Sequence, residues 1–271
     1  VKILYLYKIN PMKNYQNKEW LEQEYIIKKK SHRMIALEEI VNTTTIENWC
    51  KKYNIKGRVR KYEINEDKID DSNLFMWYFL GLFMADGWSS KNNKTANISI
   101  SLVSGGNPKE LLNEILKEFE YSGVIYEYSK CKGFTITNKK LGEWLAGKGA
   151  IIESKTFNCN LLQTPNENQF RLFLRGLFDG DGNIKFKCVD RPTLSGVRIL
   201  TASKSLADTL NILLEQYIGK PKIIINKYYT LGYYDIPTAF KFLNFIYGDS
   251  LYPKLKLYSK YTLYRILKMM I

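Results

Sequence analysis

The apolar positions of this chain are spread unevenly. From Leu74 they crowd into "LFMWYFLGLFMA", a run without a polar face that stops at Asp86-Gly87. A second run, "FRLFLRGLF", stops in the same way at Asp179-Gly180-Asp181-Gly182. Each reads as an apolar helix that ends in Asp-Gly. Behind the first run come the alternating "TANISISLV", the helix-periodic "PKELLNEILKEF", the alternating "GVIYEYSKCKGFTIT" and the helical "KKLGEWLAGKG". Behind the second come "NIKFKCV" and "GVRILTA", the helical "SKSLADTLNILLEQYI", then "PKIIINKYYTLGYYDI" and "PTAFKFLNFIYG". The pattern predicts helix, two strands, helix, two strands, helix, twice over. Asp86 and Asp181 stand 95 residues apart. The repeat lies in the order and length of the elements, because identity between the halves is low.

Upstream the pattern is shorter and helical: "NKEWLEQEYIIK", "SHRMIALEEI" and "TTIENWCKKYNI", within Asn17 to Ile55. Ile35, Ala36, Val41, Ile46 and Trp49 have the spacing of a helix-turn-helix core, with Ala36 small enough for a close crossing. The second helix, read from Thr44, exposes Thr45, Asn48, Lys51 and Lys52. This part resembles a helix-turn-helix DNA-binding unit, although Ile40 stands at the turn position often held by glycine. A plain three-helix interaction module is the other reading. Lys56 to Asn73, "KGRVRKYEINEDKIDDSN", has no sustained period and reads as a linker. Its basic start suits phosphate tracking.

Composition narrows the partners. The 271 residues carry 41 Lys and Arg against 27 Asp and Glu, a formal charge of +14. Such an excess points to a polyanion, nucleic acid before a membrane surface. At 45% hydrophobic and 14% aromatic, the chain has ample core for one large domain or a few small ones. No apolar stretch has the length of a membrane span, and nothing resembles a signal peptide. Cys50, Cys131, Cys159 and Cys188 form no CxxC pair, so neither a zinc site nor a disulfide framework is expected. His32 is the only histidine, which excludes Ser-His-Asp triads, multi-histidine zinc sites and HNH-type nucleases.

The two acid-ended runs resemble the paired signature of LAGLIDADG homing endonucleases in their single-chain form. The first motif runs from Phe79 to Gly87 as "FLGLFMADG" and the second from Leu174 to Gly182 as "LRGLFDGDG". The first departs from the pattern by carrying Met84 where the earlier acid usually stands. The resemblance covers roughly residues 74 to 265. It implies an α+β fold of two pseudo-symmetric αββαββα halves with antiparallel DNA-binding sheets, preceded by a small all-α helix-turn-helix domain. The expected division is 1–55 for that domain, 56–73 for the linker, 74–165 for the first half and 166–271 for the second.

The resemblance also explains why acids sit where a helix dipole disfavours them. Gly81 and Gly176 let the motif helices approach, which brings Asp86 and Asp181 together at their tips. Two carboxylates at two negative helix ends repel and take up protons unless a divalent cation resolves the conflict. Asp86 and Asp181 are therefore the expected ligands of Mg²⁺ or Mn²⁺, with Asp179 a weaker candidate and the backbone at position 85 unassigned. Gly87 and Gly182 are expected to turn the chain out of each helix. By family position, Lys155 in "ESKTF" and Lys256 in "PKLKLY" are the expected catalytic lysines. Ser203 is either a water-positioning residue or the cap of the helix that follows. "Glu153-Ser-Lys155" also fits part of a PD-(D/E)xK site, but the upstream strand and acid of that site are missing.

DNA contacts are expected from the strands, at Lys94, Asn97, Ser99, Lys130, Lys132, Lys185, Lys187, Arg198, Lys222 and Lys227, mostly to phosphates. The implied activity is site-specific, Mg²⁺-dependent hydrolysis of double-stranded DNA at a long asymmetric site, by a monomer that promotes mobility of its own gene or host intron. Two binding roles stay open on the same fold: an RNA maturase acting on an intron, or an inactive regulator. No splicing block surrounds the motifs, so an intein is not expected. The expected location is intracellular, in bacterial or phage-infected cytoplasm or nucleoid, or in an organelle matrix.

Overall fold

Helix starts in the N-terminal part are set by small polar side chains. The Asn17 side chain accepts the Trp20 amide and opens α1 (Lys18–Glu22), which widens into a π turn at Gln23–Ile27. Ser31 caps α2 (His32–Glu38) through the Met34 amide, and α3 (Thr43–Lys52) follows a short turn. Ile35, Ala36 and Ile46 are buried in the core of this part, and Val41 and Trp49 pack against it. The turn residue Ile40 takes φ 55° with 90% of its surface exposed. A β-branched residue is strained there, and this is the conformation for which glycine is ordinarily chosen. The structure is a computed structural model. It describes residues 13–28, 30–56, 63–91, 96–103, 108–150, 155–186, 194–248 and 251–270, and the chain divides into two units, Val1–Lys61 and Tyr62–Ile271.

The second unit begins inside the expected linker. Ile64 and Ile69 are buried in its core, and the Asn65 amide donates to the Phe119 carbonyl. Asp71 accepts from the Trp144 indole and the Lys148 ammonium. Residues 63–73 are thus a packed approach to the first motif helix rather than a tether. Two isolated isoleucines among charges supply too little periodicity to reveal it.

From there the order is α4 (Leu74–Asp86), β1 (Gly87–Lys91), β2 (Ala96–Val103), α5 (Pro108–Glu118), β3 (Tyr126–Tyr128), β4 (Cys131–Thr137), α6 (Lys139–Gly147) and α7 (Lys155–Asn158). It repeats as α8 (Glu167–Asp181), β5 (Gly182–Phe186), β6 (Leu194–Thr201), α9 (Lys204–Tyr217), β7 (Lys222–Ile225), β8 (Tyr229–Tyr233), α10 (Ile236–Tyr247) and α11 (Tyr258–Met270). The fold is α+β with the αββαββα order repeated, and each half adds one helix, α7 or α11. The sheets have matching orders, β1-β2-β4-β3 and β5-β6-β8-β7, with every pairing antiparallel.

One continuous core joins the halves. α4 is buried on all sides from Phe75 to Met84, which is why its sequence lacks a polar stripe. It lies against α8 with backbone touching backbone. A Cβ on Gly81 would stand 2.0 Å from the Phe173 carbonyl oxygen, and one on Gly176 would stand 2.0 Å from that of Tyr78. These contacts are twofold-related, since both residues of each pair are 95 positions from their counterparts.

Candidate active site

The two motif helices end on their acids. Asp86 and Asp181 are the last residues of α4 and α8, and Gly87 and Gly182 begin the strands. The glycines leave the helix in extended conformation, φ −82° and −76°, so freedom at positive φ is not their purpose. They are needed for room. A Cβ on Gly87 would fall 2.2 Å from the Phe83 ring, and one on Gly182 the same distance from the Phe178 ring. Gly180 does similar service beside the acids, since a Cβ there would reach Ala85 at 2.3 Å and Asp86 Oδ2 at 2.9 Å.

The carboxylates interact. Desolvation of the carboxyl, and then the negative charge of Asp86, push Asp181 up to about 6, although the residue as a whole is exposed. Burial also raises Asp86, while the nearby Lys260 and Lys155 charges pull it down. The pair has the tension expected from the sequence, and two ammonium groups moderate it.

Those ammonium groups cap the helices. Lys155 Nζ donates to the carbonyls of Phe83, Met84 and Ala85 at 2.7, 2.9 and 3.2 Å. Lys260 Nζ donates to those of Phe178, Asp179 and Gly180 at 2.6, 2.7 and 3.0 Å. Each lysine spends its three donors on carbonyls that a helix end leaves open, and sets a positive charge beside the acids. Burial pulls both lysines down from their ordinary value, against the attraction of the surrounding acids.

The second-half lysine is therefore Lys260 and not Lys256. Lys256 lies outside the pair, its ammonium 3.4 Å from the centre of the Tyr261 ring. Lys260 sits in the first turn of α11, the helix that the sequence pattern did not reveal. Ser203 is fully buried; its hydroxyl donates to the Cys159 carbonyl at 2.5 Å and accepts the Leu206 amide. It caps α9, the second of its two expected roles. Asp179 does not join the acidic pair. Its buried carboxylate accepts the Tyr78 and Tyr247 hydroxyls at 2.8 and 2.5 Å.

The outer faces of the sheets sort the other candidates. Alternation puts Asn97 and Ser99 on the outer face of the first sheet, with Trp88, Ser90, Thr135 and Thr137 as cross-strand neighbours. Asn97 bonds Ser90 and Thr137, and Ser99 bonds Thr135. Exposed Tyr126 and Tyr128 share that face. Lys132 does not: it pairs with buried Leu102 on the inner side and holds Glu127 at 2.9 Å. On the second sheet Lys185, Arg198 and Lys222 share the outer face with Asn183 and Thr230. Arg198 Nε is buried without a hydrogen-bond partner among the described residues. Lys130 and Lys227 occupy exposed turns. Lys94 and Lys187 lie outside the described residues, and the sequence reading missed the aromatic residues of the first sheet. In the N-terminal unit Asn48, Lys51 and Lys52 are exposed and Thr45 half-buried. Lys52 rests on the Trp49 ring at 3.9 Å.

Paired glycine-faced helices, acids at their tips and two matched antiparallel sheets are the features expected of a two-motif LAGLIDADG protein. The family model described as LAGLIDADG-like domain matches residues 168–266, the second half with its motif. Two archaeal proteins share similar segments. One is the DNA-directed RNA polymerase subunit Rpo1C of Methanocaldococcus jannaschii, 30% identical over 148 residues, 52% of this chain and 15% of that protein. The other is a DNA polymerase of Thermococcus hydrothermalis, 29% identical over 150 residues, 51% of this chain and 8% of that protein. The chain spans only these small shares of their lengths, so polymerase activity is not carried over. Among solved structures, I-DmoI in complex with DNA and calcium is 18% identical, with a TM-score of 0.49 over 67% of this chain and 93% of that one. The meganuclease I-SmaMI bound to uncleavable DNA is 17% identical, with a TM-score of 0.47 over 72% and 89%.

Proposed function

We propose that the chain is a site-specific endonuclease that hydrolyses both strands of DNA with Mg²⁺ or Mn²⁺. The observation that carries this reading is the coupled pair Asp86 and Asp181, set at touching helix ends and flanked by Lys155 and Lys260. The donor set fits a hard divalent cation. Two carboxylates supply oxygen ligands, and among the described residues no group of three or more acids, histidines or cysteines closes the site. Mg²⁺ is usually held by one or two carboxylates and keeps positions for water and phosphate. When bound, such a cation lowers the pKa of a ligand water and polarises the phosphate. Asp86 and Asp181 hold it. Lys155 and Lys260, fixed by three carbonyls each, add positive charge where negative charge grows on the phosphate. The outer faces of the sheets take the duplex, with Lys185, Arg198 and Lys222 on phosphates and the polar and aromatic first sheet nearer the bases.

The N-terminal unit extends the contact by placing α3, with Thr45, Asn48, Lys51 and Lys52, in a neighbouring major groove. We assign the protein to an intracellular compartment as a monomer whose substrate is the uninterrupted insertion site of its own gene. The test is cleavage of a plasmid that carries the joined genomic flanks of the gene, with Mg²⁺ or with EDTA. Linear product with Mg²⁺ alone, lost in Asp86→Asn with DNA affinity kept, is expected. Tight binding of that plasmid without cleavage in Mg²⁺ or Mn²⁺ would make the chain a regulator, and selective binding of intron RNA would make it a maturase. Removing residues 1–60 should shorten the footprint at one end only and flatten the salt dependence.

A further inference from the structure

Asp179 lies beneath the acidic pair and has no part in it. Its carboxylate gathers donors from three other elements: the Tyr78 hydroxyl of α4 at 2.8 Å, the Tyr247 hydroxyl of α10 at 2.5 Å and the backbone amide of Leu257. Leu257 is where α11 starts, since its carbonyl takes the amides of Lys260 and Tyr261. Lys260 then returns to the Asp179 carbonyl itself at 2.7 Å. One buried residue thus grips the start of α11 with its side chain and the lysine of that helix with its backbone.

Among the described residues the first half has nothing equivalent. Under the 95-residue offset Asp179 corresponds to Met84 and Tyr78 to Phe173, and both counterparts are buried and apolar. Lys155 makes the same three carbonyl contacts, with Met84 where the second half has Asp179. We propose that Asp179 is a positioning residue for Lys260 alone, so that the two strands of the substrate are served by lysines with unequal support. The assignment to strands rests on the nuclease reading above; the positioning of Lys260 does not.

Asp179→Asn keeps the shape and removes the reason for the junction. Three donors converge on a carboxylate with two acceptor oxygens, whereas an amide offers one oxygen and turns an NH₂ toward donors. The α11 start loosens and Lys260 leaves its carbonyls. Two readouts test this. The first is the rate of acylation of each lysine at limiting reagent, followed by mass spectrometry. Lys260 should react about tenfold faster in the variant, with Lys155 unchanged. The second is the ratio of nicked to linear plasmid, which should rise about tenfold with the nicks confined to one strand. General destabilisation would slow both strands together and expose both lysines. Tyr247→Phe removes one donor and should shift both readouts in the same direction by less, and it decides the matter if Asp179→Asn fails to fold. Unchanged acylation of Lys260 relative to Lys155 overturns the proposal. If no cleavage is found in the wild type, the nuclease reading falls and acylation alone judges the positioning.

Discussion

Gly81→Ala should be among the most damaging single methyl additions to the protein. The added carbon would stand 2.0 Å from the Phe173 carbonyl oxygen and 2.7 Å from the Leu177 nitrogen, where ordinary contact begins at 3.4 Å. Both obstacles are backbone, so no rotamer change relieves them. α4 and α8 must part by about 1.4 Å, the difference between those distances, along a seam packed to crystal density. Overpacking usually costs about 1–3 kcal/mol, and the top of that range applies where only main chain can yield. For a unit of this size, about 3 kcal/mol lowers the melting temperature by about 6–12 °C. Parting the helices also separates Asp86 from Asp181, and a displacement near 1 Å at a reacting centre costs about a hundredfold in rate. Calorimetry of Gly81→Ala, its twin Gly176→Ala and Gly147→Ala tests the reasoning. Nothing lies within 4 Å of a Cβ at Gly147, so that variant should hold or gain stability. Were Gly81→Ala to melt within 2 °C of the wild type, the seam would be more compliant than its geometry requires and the reasoning would fail.

Three further outcomes follow from the site. In EDTA, Asp181→Asn should melt above the wild type at pH 7.5. The Asp181 carboxyl is held up to about 6 from an ordinary 3.8, so its ionised form costs stability above about pH 6 and not below about 4. The gap should close across that window, and a gap independent of pH would refute the cause. Lys260→Met should cut cleavage by about a hundredfold or more, and Lys256→Met by less than about threefold; equal losses would return the role to Lys256. Ser203→Ala should lose about 2–3 kcal/mol in urea unfolding, from a missing cap and an unpaired buried carbonyl. Loss of cleavage at unchanged stability would instead restore Ser203 to the reacting water.

What the sequence revealed and what it hid separate along physical lines. The motif helices, their acids and the repeat were legible because helical and strand periods differ and the spacing recurs. Gly81 and Gly176 were readable because a helix interior tolerates glycine only for a reason. Gly87 and Gly182 were placed rightly and explained wrongly, since the clash with Phe83 and Phe178 is a contact that local propensity cannot show. α11 was missed because "YSKYTLYRILKMM" mixes exposed Tyr258, Ile266 and Met269 with buried Tyr264 and Leu267, which blurs the apolar stripe. With α11 hidden, Lys256 stood in for Lys260. Lys132 was assigned by charge alone, whereas its parity with the apolar Phe134 and Ile136 of the same strand already turns it inward.

The seam between α4 and α8 also has a meaning in time. Gly81 leaves the ribosome 95 residues ahead of Gly176. At roughly 5–20 residues per second that is about 5–20 s of synthesis. During that interval α4, whose Phe75, Trp77, Phe79 and Phe83 are all fully covered in the finished fold, has only its own half to cover it. The side meant for α8 is bare and apolar, open to chaperones or to other nascent chains. The yield of folded protein is therefore governed by how fast the second motif is made, and slow codons between Gly87 and Glu167 would lower it without altering a single contact in the finished molecule.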